Sequence, residues 1–318
     1  MPVLHLTEAD VRDLLTMELA ADAVEAGFRK MALEEAFTMP RSRCQTDHAM
    51  LHVLPAACKT MGVIGFKAYV TTKARQTFHV TLYDGKTGEL LALIQADWLG
   101  QMRTGAASAV ATKHLARPDA KRAAILGAGK QARTQLLGVA HARNLTHACV
   151  YSPNEASRAT FAKEMSAVCP FPVTACPSPE EAVREADIIC TATTAREPVL
   201  KGEWLVPGQH LNVVGSNFLA KAEIDAEVIK RASVVTIDSK DQGKLEAGDL
   251  VPALDAGLLE WYDVVELGRI VALRNSGRKS PEDITLFKSL GIGLEDIAVG
   301  IKLYEKAKAD GRGTWLDL

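Results

Sequence analysis

The sequence has few aromatic residues and no large excess of charge of either sign. Aromatic residues make up 5% of the 318 residues, too few for the stacking surface that binds single-stranded nucleic acid. The 37 Lys and Arg residues nearly balance the 39 Asp and Glu residues, which gives a net charge of −2. We therefore expect neither nucleic acid nor an anionic membrane as a partner.

Long apolar runs, a leader segment and metal-binding motifs are lacking as well. The apolar run 90–94 is far too short to span a bilayer, and residues 1–10 show no basic segment followed by an apolar one. The six cysteines form no Cys-x-x-Cys pair, and the eight histidines form no HExxH motif. We expect no metal site, reduced cysteines and a cytoplasmic location.

The first third of the chain predicts a mixed α+β domain over residues 1–112. Its predicted elements are a helix at 8–36, strand-like pieces at Ala49–Leu54 and Val63–Val70, and a hairpin formed by Thr77–Tyr83 and Glu89–Gln95. An alanine-rich helix at 102–116 follows, and a last helix is predicted at Leu294–Lys308. We expect the segment 294–318 to join this first domain.

Residues 113–293 predict a doubly wound parallel sheet of the Rossmann type. Short apolar strands alternate with helices there, which is typical of parallel strands joined by crossover helices. The predicted strands are Ala123–Leu126, Ala148–Tyr151, Val173–Ala175, Asp187–Thr191, His210–Val214 and Val234–Ile237. The predicted helices lie at about 130–142, 154–167, 179–185 and 222–231.

The strongest motif, Gly-Ala-Gly-Lys-Gln-Ala at 127–132, stands between the first of these strands and the next helix. It fits the G-x-G-x-x-G/A pattern, in which Gly127 permits the tight turn and Gly129 lets the backbone approach a pyrophosphate. Ala132 permits close packing of helix and strand, and the helix that begins near Lys130 directs free N–H groups at the phosphates. A glycine-rich turn without a ligand is the alternative, but the strands that follow favour a dinucleotide.

The end of the second strand indicates which dinucleotide is preferred. NAD enzymes usually have an acidic residue there to bind the ribose 2′-hydroxyl, and here the first carboxylate is Glu155. Ser152, Asn154 and Arg158 are instead candidate donors to a 2′-phosphate, which favours NADP(H). An ordinary solvated arginine is the alternative for Arg158.

Several further motifs join the glycine loop in a more specific pattern. With 127–132, the chain resembles the ornithine cyclodeaminase/mu-crystallin family over nearly its whole length. The similar segments are 65–69 (GFKAY), the hairpin 77–95, 97–108 (DWLGQMRTGAAS), 215–217 (GSN), 221–225 (KAEID), 248–250 (GDL) and 286–291 (LFKSLG). This resemblance implies a substrate domain that pairs two subunits, hence a homodimer, and a Rossmann domain that binds NAD(P)(H).

The resemblance also implies functional positions. Those for the substrate are Arg41, Lys67 and Arg103, and those for the cofactor are Thr104, Gly127, Gly129, Gln131 and Ala132, with Thr193 and Gly215 on the nicotinamide side. Arginine is a natural bidentate partner for the carboxylate of an amino or imino acid. Lys67 lies between Phe66 and Ala68 in an apolar strand, where a lysine must pair or line a cavity. It is also the candidate catalytic residue, since burial and neighbouring arginines would lower its pKa and let it exchange a proton. Arg103 is predicted to open a helix, where its charge opposes the dipole and suggests a nearby anion. For Arg41, a solvated loop arginine is the alternative.

Two positions depart from the cyclodeaminase pattern. Asn217 stands where the resemblance implies a catalytic aspartate, and His52 stands where it implies a glutamate. An amide cannot take up a proton, so we assign Asn217 to hydrogen bonding and His52 to substrate binding. These changes favour an NAD(P)H-dependent reductase of a small cyclic ketimine, of the Δ1-pyrroline-2-carboxylate type. An ornithine cyclodeaminase, an amino-acid dehydrogenase or a non-catalytic binder of NADP(H) and a small ligand are the alternatives.

Overall fold

The computed structural model describes residues 2–317, and the chain divides into two compact units. The first unit is formed by Met1–Arg103 and Gly291–Leu318, and the second by Thr104–Leu290. The sequence predicted the division after residue 112 and again after 293. The structure places it inside a helix, Asp97–Leu115.

That helix begins earlier than its alanine-rich composition suggests. The backbone N–H groups of Asp97 and Trp98 donate to the carboxylate of Glu8, at 2.5 and 3.1 Å. Glu8 therefore serves the free donors of the first turn from about 90 positions away in the sequence. The prediction that Arg103 opens the helix is wrong, because Arg103 lies well inside it.

Helices and strands follow one another along residues 2–317. The helices are α1 (Glu8–Leu14), α2 (Met17–Ala32), α3 (Asp97–Leu115), α4 (Lys130–Ala142), α5 (Glu155–Val168), α6 (Pro179–Arg184), α7 (Ala226–Arg231), α8 (Lys240–Glu246), α9 (Val251–Asp255), α10 (Leu267–Val271) and α11 (Gly293–Ala309), with a short 3-10 helix at Gly202–Trp204. The strands are β1 (Val3–Leu6), β2 (Ala36–Thr38), β3 (Ser42–Gln45), β4 (Ala49–Cys58), β5 (Val63–Thr72), β6 (Gln76–Asp84), β7 (Leu90–Gln95), β8 (Arg122–Leu126), β9 (His147–Tyr151), β10 (Val173–Ala175), β11 (Ile188–Thr191), β12 (His210–Val213), β13 (Val234–Ile237), β14 (Val265–Glu266), β15 (Thr285–Lys288) and β16 (Thr314–Leu316).

The first unit is a mixed sheet covered by helices. Its strand order is β16-β1-β7-β6-β5-β4-β2 with β3 beside β4, and β1 and β7 form its parallel pair. Helix α11 packs on β4, β5 and β6 and against α2, and it belongs to the first unit. The single helix predicted at 8–36 is wrong, because Thr16 caps a new helix and the chain turns into β2 at Ala36.

The second unit is the expected doubly wound sheet. Its strands are all parallel in the order β10-β9-β8-β11-β12-β15-β13-β14. The six predicted strands are present, whereas β15, which lies between β12 and β13, was not predicted. The helix predicted at 222–231 begins only at Ala226, because the Asp225 side chain caps it by accepting from the N–H of Val228.

A membrane-spanning helix and a cluster of metal ligands are both missing from residues 2–317. No helix in that range is long and apolar enough to cross a membrane. The same residues contain no group of three or more His, Cys, Asp and Glu side chains arranged to hold a metal ion. The six cysteines are free, and Cys149 and Cys190 are buried in strands β9 and β11.

Candidate functional site

Two buried cations of the first unit share a carboxylate. Lys67 on β5 donates from Nζ to Asp296 Oδ1 at 2.9 Å, and Arg103 Nε lies 3.0 Å from the same oxygen. Arg103 also donates from Nη1 to Glu295 Oε2 at 2.6 Å. Lys67 is 3% exposed and Arg103 is 7% exposed, so these pairs are shielded from water. The first turn of α11 thus supplies the counter-charges for both cations.

Arg41 joins this group from the segment that precedes β3. Its Nη2 donates to the carbonyl of Gly291 at 3.0 Å, and its side chain is buried. Gly291 has a φ of +76°, and a Cβ there would lie 2.3 Å from Arg103 Nη1. The backbone conformation therefore favours glycine at 291, and a Cβ there would also displace the Arg103 guanidinium. We call Arg41, Lys67, Arg103, Glu295 and Asp296 the cation cluster.

The electrostatics of the cluster act on Lys67. Burial, together with the charges of Arg103 and Arg41, lowers the pKa of Lys67 to about 8, although Asp296 opposes the change. A lysine with such a pKa exists in both protonation states near neutral pH. It can therefore give up or accept a proton as well as bind an anion.

His52 lies on the same face of the sheet as Lys67. Its ring stacks on Tyr69 with a centroid distance of 4.1 Å, and Arg43 Nε donates to His52 Nδ1 at 3.2 Å. Burial, with the charges of Arg43, Arg41 and Lys67, lowers the pKa of His52 to about 4. At neutral pH the ring is uncharged, and because Nδ1 accepts a hydrogen bond, its proton resides on Nε2.

The glycine loop of the second unit has the geometry that a dinucleotide needs. Gly127 has a φ of +118°, and a Cβ there would lie 2.4 Å from the Ala192 carbonyl oxygen. Gly129 is the N-cap of α4, and no described atom lies within 4 Å of where its Cβ would be. Among the described residues, no side chain caps α4, so its N–H groups and the space above Gly129 fit a pyrophosphate.

The remaining residues of the loop differ in burial. Ala132 is fully buried against the sheet, as close packing of helix and strand requires, whereas Lys130 is exposed at the helix start. Gln131 is partly buried in the first turn of α4. Thr104 lies buried on α3, and its carbonyl accepts a hydrogen bond from Gln135 Nε2 of α4 at 3.2 Å.

The end of β9 holds an arginine in a fixed position. Arg158 donates from Nη1 to the Ser152 carbonyl at 3.0 Å, and its guanidinium lies 6.0 Å from the centroid of the Tyr151 ring. The Asn154 side chain accepts from the N–H of Ser157 at 2.8 Å and caps α5. Arg158 is therefore held beside the end of β9, whereas the side-chain oxygen of Asn154 already accepts a hydrogen bond as the cap of α5.

The loops after β11 and β12 are joined by one carboxylate. Glu223 Oε1 accepts from the N–H of Thr193 and Oε2 accepts from the N–H of Gly215, both at 2.6 Å. Glu223 is fully buried, and burial raises its pKa while Lys288 opposes that change. Asn217 lies two residues beyond Gly215 in the same loop and is partly buried.

Comparison with known proteins identifies the family. A profile of the ornithine cyclodeaminase/mu-crystallin family matches residues 3–311. The chain belongs to this family. It is 37% identical over 269 residues to a Δ1-pyrroline-2-carboxylate reductase of Bacillus cereus, which covers 82% of each protein.

Two solved structures of relatives have the same fold over their whole length. One is the Thermococcus litoralis Δ1-pyrroline-2-carboxylate reductase in complex with NADH and L-proline, with a TM-score of 0.93, 34% identity and coverage of 98% of this chain and 99% of that one. The other is an archaeal alanine dehydrogenase dimer with bound NAD, with a TM-score of 0.93, 31% identity and full coverage of both chains. The fold class and the family expected from the sequence are thereby confirmed.

In this family member the structure brings some predicted residues together and adds others. Arg41, Lys67 and Arg103 meet in one cluster with His52 nearby, and Thr193 and Gly215 meet through Glu223. Sequence reasoning missed Glu295, Asp296 and Glu223. The adjacent acids at 295 and 296 look like ordinary first-turn residues of a helix. The one signal that could have found them is that two buried cations need counter-charges.

Proposed function

We propose that the protein is an NAD(P)H-dependent reductase of a small cyclic ketimine of the Δ1-pyrroline-2-carboxylate type, which adds hydride at C2. The observation that carries this proposal is the charge of the cation cluster. Its three cations and two carboxylates give a net charge of +1, which suits the carboxylate of a monocarboxylic imino acid. The relatives named as Δ1-pyrroline-2-carboxylate reductases support the same substrate class.

The substrate would be bound and oriented by the cluster. The guanidinium groups of Arg41 and Arg103 are suited to grip a carboxylate through paired N–H donors. Asp296 holds Lys67 Nζ in place, and with a pKa of about 8 the protonated ammonium can donate a proton toward the ring nitrogen. Asn217 would orient the ring by a hydrogen bond, without proton transfer.

The cofactor would be held by the second unit. Gly127, Gly129 and the start of α4 suit the pyrophosphate, and Thr193 and Gly215 follow the strands whose carboxyl ends border the ligand crevice of such sheets. A bound reduced nicotinamide supplies the hydride.

We further propose that NADP(H) is preferred over NAD(H). This rests on the ordered guanidinium of Arg158 and on the absence of an acidic side chain at the end of β9 in the sequence. Measured kcat/KM values should favour NADPH, and Arg158→Ala should reduce that preference by about tenfold, as for a lost charged hydrogen bond. A wild-type preference for NADH, unchanged in the variant, would overturn this assignment.

An amino-acid dehydrogenase is the second candidate, because the alanine dehydrogenase dimer has the same fold over the full chain. A cyclodeaminase acting on a diamine is less well supported. Neutral His52 lies among Arg41, Arg43 and Lys67, and this surface would repel a second ammonium group.

One set of assays separates these functions. Purified protein is incubated with NADPH or NADH and Δ1-pyrroline-2-carboxylate, with NAD(P)+ and L-alanine, and with NAD+ and L-ornithine. We expect cofactor oxidation and L-proline only in the first reaction. Ammonia and proline formed from ornithine would overturn the proposal, and tight cofactor binding with no turnover of any substrate would indicate a binding protein.

We also propose that two copies pair through the first unit. Alternate residues of β4 and β5 face away from α11, and apolar side chains remain 36–49% exposed on that face. These exposed side chains are Phe37, Leu51, Ile64 and Val70. Such an apolar row fits a second copy, in keeping with the dimeric relative.

Light scattering tests the pairing. Ile64→Glu should convert a dimer to a monomer, because it places a charge in the middle of the apolar row. Tyr262→Glu is the matched control, since Tyr262 is 90% exposed in the second unit. A monomeric wild-type protein would overturn the pairing.

We also propose that the protein is cytoplasmic and that its cysteines are reduced.

A further inference from the structure

Four short motifs of the sequence meet in one buried network of the second unit. They are 215–217, 221–225, 248–250 and the start of 286–291, and the family resemblance gave no role to most of their residues. The network lies at the carboxyl ends of β11, β12 and β15, where the loops of a doubly wound sheet border its ligand crevice.

Glu223 is the centre of this network. Its two carboxylate oxygens accept from the hydroxyl of Thr191 at 2.7 Å and from the N–H groups of Thr193 and Gly215, both at 2.6 Å. Thr191 ends β11, and Gly215 follows β12 by two residues. One side chain therefore fixes the exits of two neighbouring strands.

A second carboxylate holds Glu223 itself. The N–H of Glu223 donates to Asp249 Oδ1 at 2.5 Å, and Asp249 Oδ2 lies 2.7 Å from Lys288 Nζ. Lys288, at the end of β15, also donates to the Ser216 carbonyl at 2.7 Å. The exposures of Glu223, Asp249 and Lys288 are 0%, 1% and 0%, so the whole chain of contacts is closed to solvent.

Two glycines show how tightly this network is built. A Cβ at Gly215 would lie 2.3 Å from Glu223 Oε1 and 2.4 Å from the Thr193 carbonyl oxygen. A Cβ at Gly248 would lie 2.3 Å from the Lys221 carbonyl oxygen. The loop 215–223 therefore has little freedom to shift, because backbone contacts it on both sides.

We propose that Glu223 is a positioning residue for hydride transfer, which holds the loops carrying Thr193 and Asn217 at the nicotinamide end of the cofactor site. The strand order reverses at β8, with β9 on one side and β11 on the other, and dinucleotides bind at such a switch point. Thr193 lies two residues beyond the end of β11 and therefore on the β11 side of this switch point. This inference rests on the proposed use of a nicotinamide cofactor.

The test is Glu223→Gln, with Asp187→Asn as its matched control. A glutamine cannot accept from all three donors, since its amide group would turn N–H toward N–H. Asp187 also ties backbone N–H groups, those of Lys121 and Arg122 at 2.8 and 3.0 Å, but at the amino end of β8. Both variants should lower Tm, but only Glu223→Gln should impair the reaction.

Three measurements are compared between these variants. For Glu223→Gln we expect the Kd of NADPH to rise about tenfold and kcat to fall about 10- to 100-fold, as for a small misplacement of reacting groups. We also expect a larger primary isotope effect with 4-deuterated NADPH, because hydride transfer becomes more limiting. Asp187→Asn should leave all three values within about twofold of wild type, because it leaves the reacting groups in place.

A milder pair of variants covers the case in which Glu223→Gln does not fold. Thr191→Val removes one donor to Glu223, and Thr236→Val removes a buried hydroxyl that donates to the Leu286 carbonyl at 2.8 Å in the same sheet. Of these two variants, only Thr191→Val should raise the isotope effect. The proposal fails if both members of each pair lower Tm and neither changes the Kd or the isotope effect. The Kd needs no substrate, so a wild-type protein that binds cofactor but reduces no imine would contradict the proposed function and leave the Kd comparison intact.

Discussion

The candidate site of each unit is built from a different kind of group. In the first unit, the candidate site consists of buried charged side chains, and the pairs that order them join residues 192 and 229 positions apart. In the second unit, the candidate site is formed by backbone shape, set by glycines at 127 and 129 and by N–H groups. A side-chain site is altered by removing a charge, whereas a backbone site is altered by adding a methyl group.

The largest effect should follow removal of the charge at Lys67. Lys67→Met should lower kcat for imine reduction by about 10²- to 10⁴-fold, the usual contribution of a proton-transferring group. The Kd of NADPH, measured by fluorescence titration, should stay the same because the glycine loop is untouched. Lys302→Met, at an exposed lysine of α11 paired with Glu305, is the control. Retention of kcat within about tenfold in Lys67→Met would exclude the proton-donor role.

Arg103→Met should lower stability and should also raise the KM of the substrate, because Arg103 is proposed to bind the substrate carboxylate. It leaves Glu295 and Asp296 buried with one cation fewer, which should cost about 3–5 kcal/mol of the free energy of unfolding measured in urea. The double variant Arg103→Met/Glu295→Gln should recover part of that stability while the substrate KM stays raised. If KM recovers together with stability, Arg103 serves only to hold the fold.

A pair of alanine substitutions sharpens the contrast in the glycine loop. Gly127→Ala should lower stability by about 1–3 kcal/mol, because of its φ of +118° and the Ala192 carbonyl beside it. Gly129→Ala should change stability by less than about 0.5 kcal/mol, since no described atom lies within 4 Å of the added Cβ. Even so, it should raise the Kd of NADPH, because the pyrophosphate needs that space. Equal losses of stability in the two variants would contradict this interpretation.

The smallest predicted effect is a shift in pH dependence. If protonated Lys67 donates the proton, kcat/KM for reduction should fall as the pH rises through about 8, the pKa of Lys67. Asp296 raises that pKa, so Asp296→Asn should move the fall to lower pH. In the reverse direction, oxidation of the amino acid needs neutral Lys67, so its kcat/KM should rise as the pH rises through the same range. A limb that does not move in Asp296→Asn would exclude Lys67 as the titrating group.

Much of the second unit could be predicted because its signals are local. The alternation of apolar strands and helices, and the 127–132 motif, each depend on neighbouring residues, and six of its eight strands were found that way. Strand β15 was missed because Thr285–Lys288 is short and ends in a lysine, which normally indicates solvent. Lys288 is buried because it pairs with Asp249, which is distant in the sequence, and spacing alone does not reveal such a partner.

The first unit shows the opposite limit. Lys67 could be singled out because a lysine in an apolar strand needs a partner. Arg41 followed from the family resemblance alone, and the additional argument for Arg103 depended on a helix start that the structure places at Asp97. The partners themselves, Glu295 and Asp296, could not be assigned. An acidic pair at the start of a helix satisfies the helix dipole equally well in any protein, so its second role appears only when the sheet and α11 are in contact.

Helix α11 has a consequence for the order in which the protein is made. It is synthesised after everything it packs against, so β4, β5, β6 and α2 leave the ribosome well before their cover does. Until Glu295 and Asp296 emerge, Lys67 and Arg103 lack these two counter-charges, and burying the cations without them is costly. The second unit, in contrast, is a continuous segment that can fold as soon as it has emerged. A nascent chain with Leu290 outside the ribosome and α11 still inside the exit tunnel should therefore carry a structured second unit and a first unit that lacks its last helix.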